Sequence, residues 1–188
     1  MGKSSTGKDT IYKELLEKRA LGLKTIVPYT TRPIRKGETD GAEYHFTDEA
    51  GYTKLLEDGK IIEARAYDTV HGVWRYFTVA DESLDLSNQD YLLIGTVEAY
   101  ANLKKYFGED KVCPILIDID DGERLQRALT RERKQESPKY EELCRRFLAD
   151  ARDFSEEKLA EAGITTRFYN EKLSECVRQI ESYIKGTC

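Results

Sequence analysis

Apolar positions change their spacing several times along the chain, and each change marks an element. Over residues 9–21, Ile11, Leu15 and Leu16 recur at helical intervals, and Gly22 stands where a helix would stop. Residues 24–27 form a short strand-like run halted by Pro28, and a turn-rich stretch over 32–38 leads into a strand at 43–46. Thr47 is placed to cap a helix that runs through Glu57 and ends at Gly59. Residues 60–67 and 72–79 are β-branched and aromatic, as strands are, while 91–94 and 112–119 are apolar runs typical of central parallel strands. Helical spacing returns over 97–107, 121–136 and 139–162, the last two separated at Ser137-Pro138. A short strand at 166–169 and an amphipathic helix at 171–184 close the chain.

This alternation predicts an α/β fold, a parallel sheet flanked by helices, with a mostly antiparallel lobe inserted at about residues 29–88. With 188 residues and no repeat or Pro/Gly/Ser linker, a single domain over 1–188 is expected. Charged residues make up 35% and the hydrophobic set 39%, which suits a soluble, core-forming chain. No apolar run reaches membrane-spanning length and no signal-peptide stretch opens the sequence, so the expected setting is cytoplasmic, without a membrane. A net charge of −5 argues against a nucleic-acid partner. Cys113, Cys144, Cys176 and Cys188 are scattered, form no C-x-x-C pair, and have only His45 and His71 to assist a metal site; they read as thiols in a reducing compartment. The sequence carries no signal for an oligomeric state.

The candidate chemistry begins at Gly2-Lys3-Ser4-Ser5-Thr6-Gly7-Lys8, a Gly-x-x-x-x-Gly-Lys phosphate loop. Its glycines let successive backbone N–H groups turn toward one point, and the helix behind adds its positive end. Ser4, Ser5, Thr6 and Thr10 belong to this triphosphate cradle, and Lys8 is placed to follow the terminal phosphate as it moves. Asp9 stands where a hydroxyl usually ligates Mg²⁺, and its carboxylate is the candidate metal ligand. The motif starts at Gly2, leaving no residues for the strand that ordinarily feeds such a loop. Either the sequence begins late or that strand is missing; a missing central strand would expose apolar surface and unpaired backbone, with consequences expected for stability or activity.

Two arginines three apart, Arg32 and Arg35, can grip one phosphate through forked hydrogen bonds, and the Tyr44 hydroxyl could add a donor. An isolated R-x-x-R would more simply be a solvated turn. However, the whole string Thr30-Thr31-Arg32-Pro33-Ile34-Arg35-Lys36-Gly37-Glu38-Thr39-Asp40-Gly41-Ala42-Glu43-Tyr44-His45-Phe46 resembles the T-T-R-x-x-R-x-G-E-x-(D/N)-G-x-x-Y-x-F string of the guanylate kinases. The resemblance runs from Gly2 to about Ile184. It implies a P-loop NTPase-type sheet with an inserted nucleoside-monophosphate lobe, a helical lid at about 130–146, and transfer of the ATP γ-phosphoryl group to GMP or dGMP with Mg²⁺.

By the same resemblance, Ile61-Ile62-Glu63-Ala64 is similar to the strand whose carboxylate binds guanine N1–H and the exocyclic amine, which makes Glu63 the base-recognition candidate. Residues 125–133, with Arg131 and Arg133, and Arg145-Arg146-Phe147 are similar to the lid, with Arg133 and Arg146 the candidates for catalysis. Phe168-Tyr169-Asn170 is similar to a stretch that places Asn170 near adenine. The chain departs from the family at Pro28, where a Ser is usual, and along residues 72–78, where Arg75 is the candidate replacement for a phosphate-binding Tyr. A further departure lies at Leu92-Leu93-Ile94-Gly95-Thr96. The family's two aspartates are absent there, and Thr96 is the nearest polar equivalent. These departures keep two alternatives open: a phosphotransferase for another monophosphate, or a guanylate-kinase-like domain that binds ligands or proteins without turnover.

Overall fold

A computed structural model describes residues 1–35, 37–69, 72–80 and 84–187; His71 and Cys188, named above for metal or thiol chemistry, lie outside the described residues. Two separate two-stranded sheets are parallel: β1 (Lys24–Thr25) with β6 (Tyr91–Leu92), and β7 (Leu116–Asp118) with β8 (Arg167–Tyr169). Alternation along β7 builds the core on both faces. Ile117 packs with Ile11 and Leu15 of α1 (Lys8–Glu17), Phe168, and Cys176, Val177 and Ile180 of α7 (Leu173–Thr187). Leu116 points the other way, into Val97 and Tyr100 of α3 (Val97–Phe107), Phe154, Leu159 and Ile164. Helices on both faces of parallel strands make the expected α/β layering.

A second sheet, β3-β2-β5-β4, contains β2 (Tyr29–Thr30), β3 (His45–Phe46), β4 (Ile61–Thr69) and β5 (Gly72–Val79). β5 runs antiparallel to both β2 and β4, and β2 runs parallel to β3. β2 was not expected from the sequence, because two residues carry no period and its partners are supplied only by the fold. Asp48 rather than Thr47 caps α2 (Glu49–Glu57), accepting from Gly51 N at 2.8 Å. The long helix expected over 139–162 is two helices, α5 (Tyr140–Asp153) and α6 (Glu156–Glu161). Ser155 caps the second through Lys158 N. Among the described residues no helix is long and apolar enough to cross a membrane.

The cysteine expectation requires a correction. Cys113 is disulfide-bonded, whereas Cys144 and Cys176 are free. Pairing depends on the distance between Cα atoms, which residue spacing does not report. Burial pushes the Cys176 thiol up to about 11.

Met1 extends the edge of β7 opposite β8. Its amino group donates to Ile115 O at 2.7 Å and its carbonyl accepts from Ile117 N at 2.9 Å, one parallel bridge. Burial, reinforced by the charge of Lys8 and opposed by Asp9, lowers this amine from 8.0 to about 5. The unfolded chain therefore binds more protons between pH 5 and pH 8, so stability rises with pH across that window. For the chain beginning at Met1, cooling of the melting transition from pH 8 to pH 5 is expected, by up to roughly 4 kcal/mol in unfolding free energy. Acetylation of the amine should flatten this dependence. An equal slope with and without acetylation would assign it to other groups.

Candidate nucleotide site

The phosphate loop takes its shape from two left-handed residues, Ser5 (φ 67°) and Gly7 (φ 87°), immediately before α1. Thr6 is fully buried and closes the turn through Oγ1 to Lys3 O at 2.9 Å. Among the described residues no protein acceptor takes the backbone N–H of Ser5, Gly7 or Lys8, so these donors remain for an anion at the helix end. Gly2 is buried against β7: a Cβ there would meet Ile117 O at 2.5 Å. Lys8 opens α1, and its ammonium pairs with Asp9 at 3.5 Å; Asp9 and Thr10 are exposed in the first helical turn.

Asn170 lies behind the loop. It is buried and donates Nδ2 to Thr6 O at 2.8 Å, so in this structure it braces the cradle. A Cβ on Gly7 would stand 2.3 Å from that same Nδ2, and φ at Gly7 already disfavours a side chain. Gly7→Ala is therefore expected to destabilise the chain by about 1–3 kcal/mol. A denaturant melt checks this; an unchanged midpoint would mean that Asn170 moves aside freely.

The helices α4 (Asp121–Glu132) and α5 cover the other side of the loop. Arg131 donates to Ser5 Oγ at 3.3 Å, and Arg146 donates to Ser4 Oγ at 3.2 Å. With Ser4 and Ser5 they line a cavity of about 410 Å³ that reaches Arg35 and contains five cationic side chains against two carboxylates. Arg133, the other lid arginine singled out from the sequence, is the exposed residue that ends α4 and does not line this cavity. Residues 124, 128 and 131 share one helix face, and Arg133 lies about 200° around from Arg131.

Sequence reasoning missed Arg124. It is 1% exposed, with Nε on Asp121 at 2.9 Å, Nη1 on Asp150 at 3.1 Å and its guanidinium 3.9 Å over the Phe147 ring. Its Nη2 has no partner among the described residues. Asp150 in turn accepts from Ser4 N at 2.8 Å, so a carboxylate of α5 already sits on one donor of the loop. No sequence signal links positions 124, 150 and 4.

On the second sheet, Arg32 is 2% exposed and its fork is held by Glu38, at 3.0 and 2.8 Å. Burial works to lower the Arg32 pKa, but the hydrogen bond and charge of Glu38, together with the Tyr76 hydroxyl, raise it. The Glu38 carboxyl is held below its usual value, first by that same hydrogen bond. The Tyr44 and Phe46 rings each lie 5.5 Å from the guanidinium, and burial raises the Tyr44 phenol. Arg35 is exposed and faces the cavity at the phosphate loop.

Glu63 is buried, with Oε1 accepting from Thr78 Oγ1 at 2.8 Å and Arg65 Nη2 at 3.4 Å, and Oε2 accepting from Arg65 Nε at 3.1 Å. Arg65 Nη1 donates to Thr96 Oγ1 at 3.2 Å, and Thr96 also caps α3 through Ala99 N. Glu63, Arg65, Thr78 and Thr96 thus form one polar cluster. The pairing Glu63↔Thr78 and Arg65↔Tyr76 puts Tyr76 and Thr78 on one face of β5. Arg75 faces the other way, where Nε pairs with Glu49 at 2.8 Å over the Tyr52 ring. Arg75 is therefore not brought together with Arg32 and Glu63; Tyr76 is.

A left-handed loop opening a helix against parallel strands, roofed by arginines over a cavity that reaches Arg35 on the β2–β3 connection, defines an α/β phosphate-loop nucleotide-binding protein. The family model for guanylate kinase matches residues 1–185, and the chain belongs to the guanylate kinase family. It is 31% identical over 185 residues to a guanylate kinase of Symbiobacterium thermophilum, covering 97% of this chain and 81% of that one. It is 40% identical over 91 residues to one of Chromohalobacter salexigens, covering 48% and 40%. The crystal structure of guanylate kinase from Anaplasma phagocytophilum superposes with a TM-score of 0.64 at 21% identity, over 98% of this chain and 82% of that one. In alignments with two of the curated relatives, this chain spans about half of their length, 40% and 56%.

Proposed function

We propose that the chain transfers the γ-phosphoryl group of ATP to GMP or dGMP, forming ADP and the nucleoside diphosphate. The observation that carries this reading is the cavity that runs from Ser4 and Ser5 of the phosphate loop, past Arg131 and Arg146, to Arg35 on the connection between β2 and β3. One continuous cationic space then holds donor and acceptor phosphates together. Lys8 and the loop N–H groups position the triphosphate, and Arg131 and Arg146 neutralise the charge that spreads over the transferring group. Arg32, Arg35, Tyr44 and Tyr76 hold the acceptor phosphate, and Glu63 reads its base. No covalent intermediate is required.

Asp9 suits a hard cation. It is an exposed carboxylate at the end of the loop, and Mg²⁺ takes only one or two protein oxygens while keeping water and phosphate ligands. Bound there with the triphosphate, Mg²⁺ would supply charge neutralisation at the β- and γ-oxygens. Closing of residues 130–146 and of the lobe at 29–88 would exclude water from the transfer.

The test is ADP formation from ATP and Mg²⁺ with GMP, dGMP, AMP, UMP or CMP as acceptor. Turnover confined to GMP and dGMP is expected. Turnover with a different monophosphate would move the acceptor assignment, and GMP binding without turnover would reduce the chain to a binding domain.

A further inference from the structure

Within the phosphotransfer reading, we propose that Arg124 is a further phosphate-binding residue of the triphosphate cradle. Asp150 is its internal competitor, a carboxylate that lowers nucleotide affinity by holding the donors a phosphate would take. Arg124 lies about two turns before Arg131 on the same face of α4, with the small Ala128 between them, and all three line the cavity beside Ser4 and Ser5. Its guanidinium is fixed on three sides. Nε donates to Asp121 at 2.9 Å, Nη1 donates to Asp150 at 3.1 Å and reaches Ser4 O at 3.5 Å, and the Phe147 ring lies 3.9 Å away. Nη2 alone is left bare among the described residues, and it is buried. A buried donor without an acceptor is costly, and the cavity that Arg124 lines is where an acceptor would come from. A phosphate oxygen there meets a guanidinium already oriented, so little freedom is lost on binding.

Asp150 acts on the same donors. Its Oδ2 accepts from Arg124 Nη1 and also from Ser4 N, at 3.1 and 2.8 Å. One anionic oxygen shared between a guanidinium and a phosphate-loop N–H is the arrangement a phosphate oxygen would adopt. The carboxylate comes from α5, one turn beyond Arg146, which donates to Ser4 Oγ at 3.2 Å. That helix therefore brings a cation and an anion to the same loop residue.

The Asp150 side chain is 17% exposed and does not line the cavity. Its charge is poorly screened, and the donors it holds are held away from the space a phosphate would fill. A phosphate entering the cradle gains Nη2 outright, but gains Nη1 and Ser4 N only as Asp150 releases them. Asp121 is the weaker opponent, because it is half exposed and is also paired with Lys3 at 3.3 Å.

The experiment measures binding of ATP with Mg²⁺, and of pyrophosphate, by calorimetry in the full chain, in Asp150→Asn, in Arg124→Met and in the double variant, with a thermal melt of each. Asparagine keeps an oxygen for Ser4 N and Arg124 Nη1 and removes the charge. Asp150→Asn should tighten both ligands about tenfold, with GMP binding within about threefold of the unmodified chain. A residue that only supports the lid would not give this sign. Arg124→Met should weaken ATP and pyrophosphate about 10- to 100-fold, since a phosphate ligand is lost and Asp150 is left uncompensated. Arg124→Lys, which keeps a charge without the bare Nη2, should move in the same direction and replaces Arg124→Met if that variant does not fold. In the double variant both ligands should stay weaker than in Asp150→Asn. Recovery to the Asp150→Asn value would mean that Arg124 only neutralises Asp150, and would overturn its role as a phosphate ligand. Unchanged or weaker ATP binding in a folded Asp150→Asn would overturn the competitor role. If the shifts appear as expected but no monophosphate is phosphorylated, the phosphotransfer reading fails and the phosphate site survives.

Discussion

Lys8→Met is expected to lower kcat for phosphoryl transfer by about 10²–10³-fold, the loss seen when one preorganised charge is removed from a transition state. The structural cost should be small. Among the described residues the ammonium has a single ion-pair partner, the exposed Asp9 at 3.5 Å, and such pairs contribute at most about 1 kcal/mol. Lys8 sits on the first residue of α1, directly behind the left-handed Gly7, so its stem leaves the loop at the end where the backbone donors gather. A point charge there can follow the γ-phosphate as it departs, which the fixed N–H groups cannot do. Single-turnover kinetics at saturating ATP and GMP, alongside a thermal melt, check the expectation. A loss below tenfold would remove Lys8 from the transfer step, and a matching loss of stability would assign it a structural role instead.

The same loop illustrates what the sequence could and could not say. Gly2, Gly7 and Lys8 were legible because a left-handed turn before a helix demands particular residues at a particular spacing. So were α3 and β5, whose bounds over 97–107 and 72–79 coincide with runs of one clear period. The lid arginines were legible only as a group. Arg131 and Arg133 are two residues apart, and the choice between them rests on which face of α4 meets Ser5, a tertiary contact. Asn170 was legible as a polar residue after β8, but its place behind the loop depends on Thr6 O facing it.

On the second sheet the obstacle was register. Residues 72–78 hold Trp74, Arg75, Tyr76 and Thr78 within five positions, and a slip of one residue exchanges the face of each. Pairing of Glu63 with Thr78 settles the matter. Tyr76 then meets Arg32 and Tyr44, while Arg75 meets Glu49. Arg65 was invisible to motif reading for a related reason. Its meaning comes from Glu63 two residues earlier on the same strand and from Thr96 at the start of α3.

Both proposed phosphate positions are organised around an internal carboxylate. Glu38 holds the Arg32 fork, and Asp150 holds Ser4 N and Arg124. Each carboxylate keeps a cation oriented and desolvated, and each competes with an incoming phosphate for the same donors. Binding in either position therefore exchanges one set of charge-assisted hydrogen bonds for another. Net affinity then follows from the further donors a phosphate gains, namely Tyr44 and Tyr76 in one place and the N–H groups of Ser5, Gly7 and Lys8 in the other.

Glu63→Gln should have its effect at the opposite end of the acceptor. The side chain is 1% exposed and accepts from Thr78 and twice from Arg65, so no water can replace what is lost. A glutamine keeps one acceptor oxygen and turns an NH₂ toward Arg65, Thr78 or the N1–H of the base, donor against donor. The charge that balances Arg65 is also lost, leaving a nearly buried guanidinium without its counter-ion. We expect kcat/KM for GMP to fall by about 10²–10³-fold, with the KM for ATP within about twofold of the unmodified chain, because the triphosphate cradle is built from other elements. Unfolding free energy should fall by about 1–3 kcal/mol through the unsatisfied donors. The decisive measurement is the ratio of the two effects. Equal losses in GMP use and ATP binding would make Glu63 a structural support of the β4–β5 sheet, and its role in reading the base would be withdrawn.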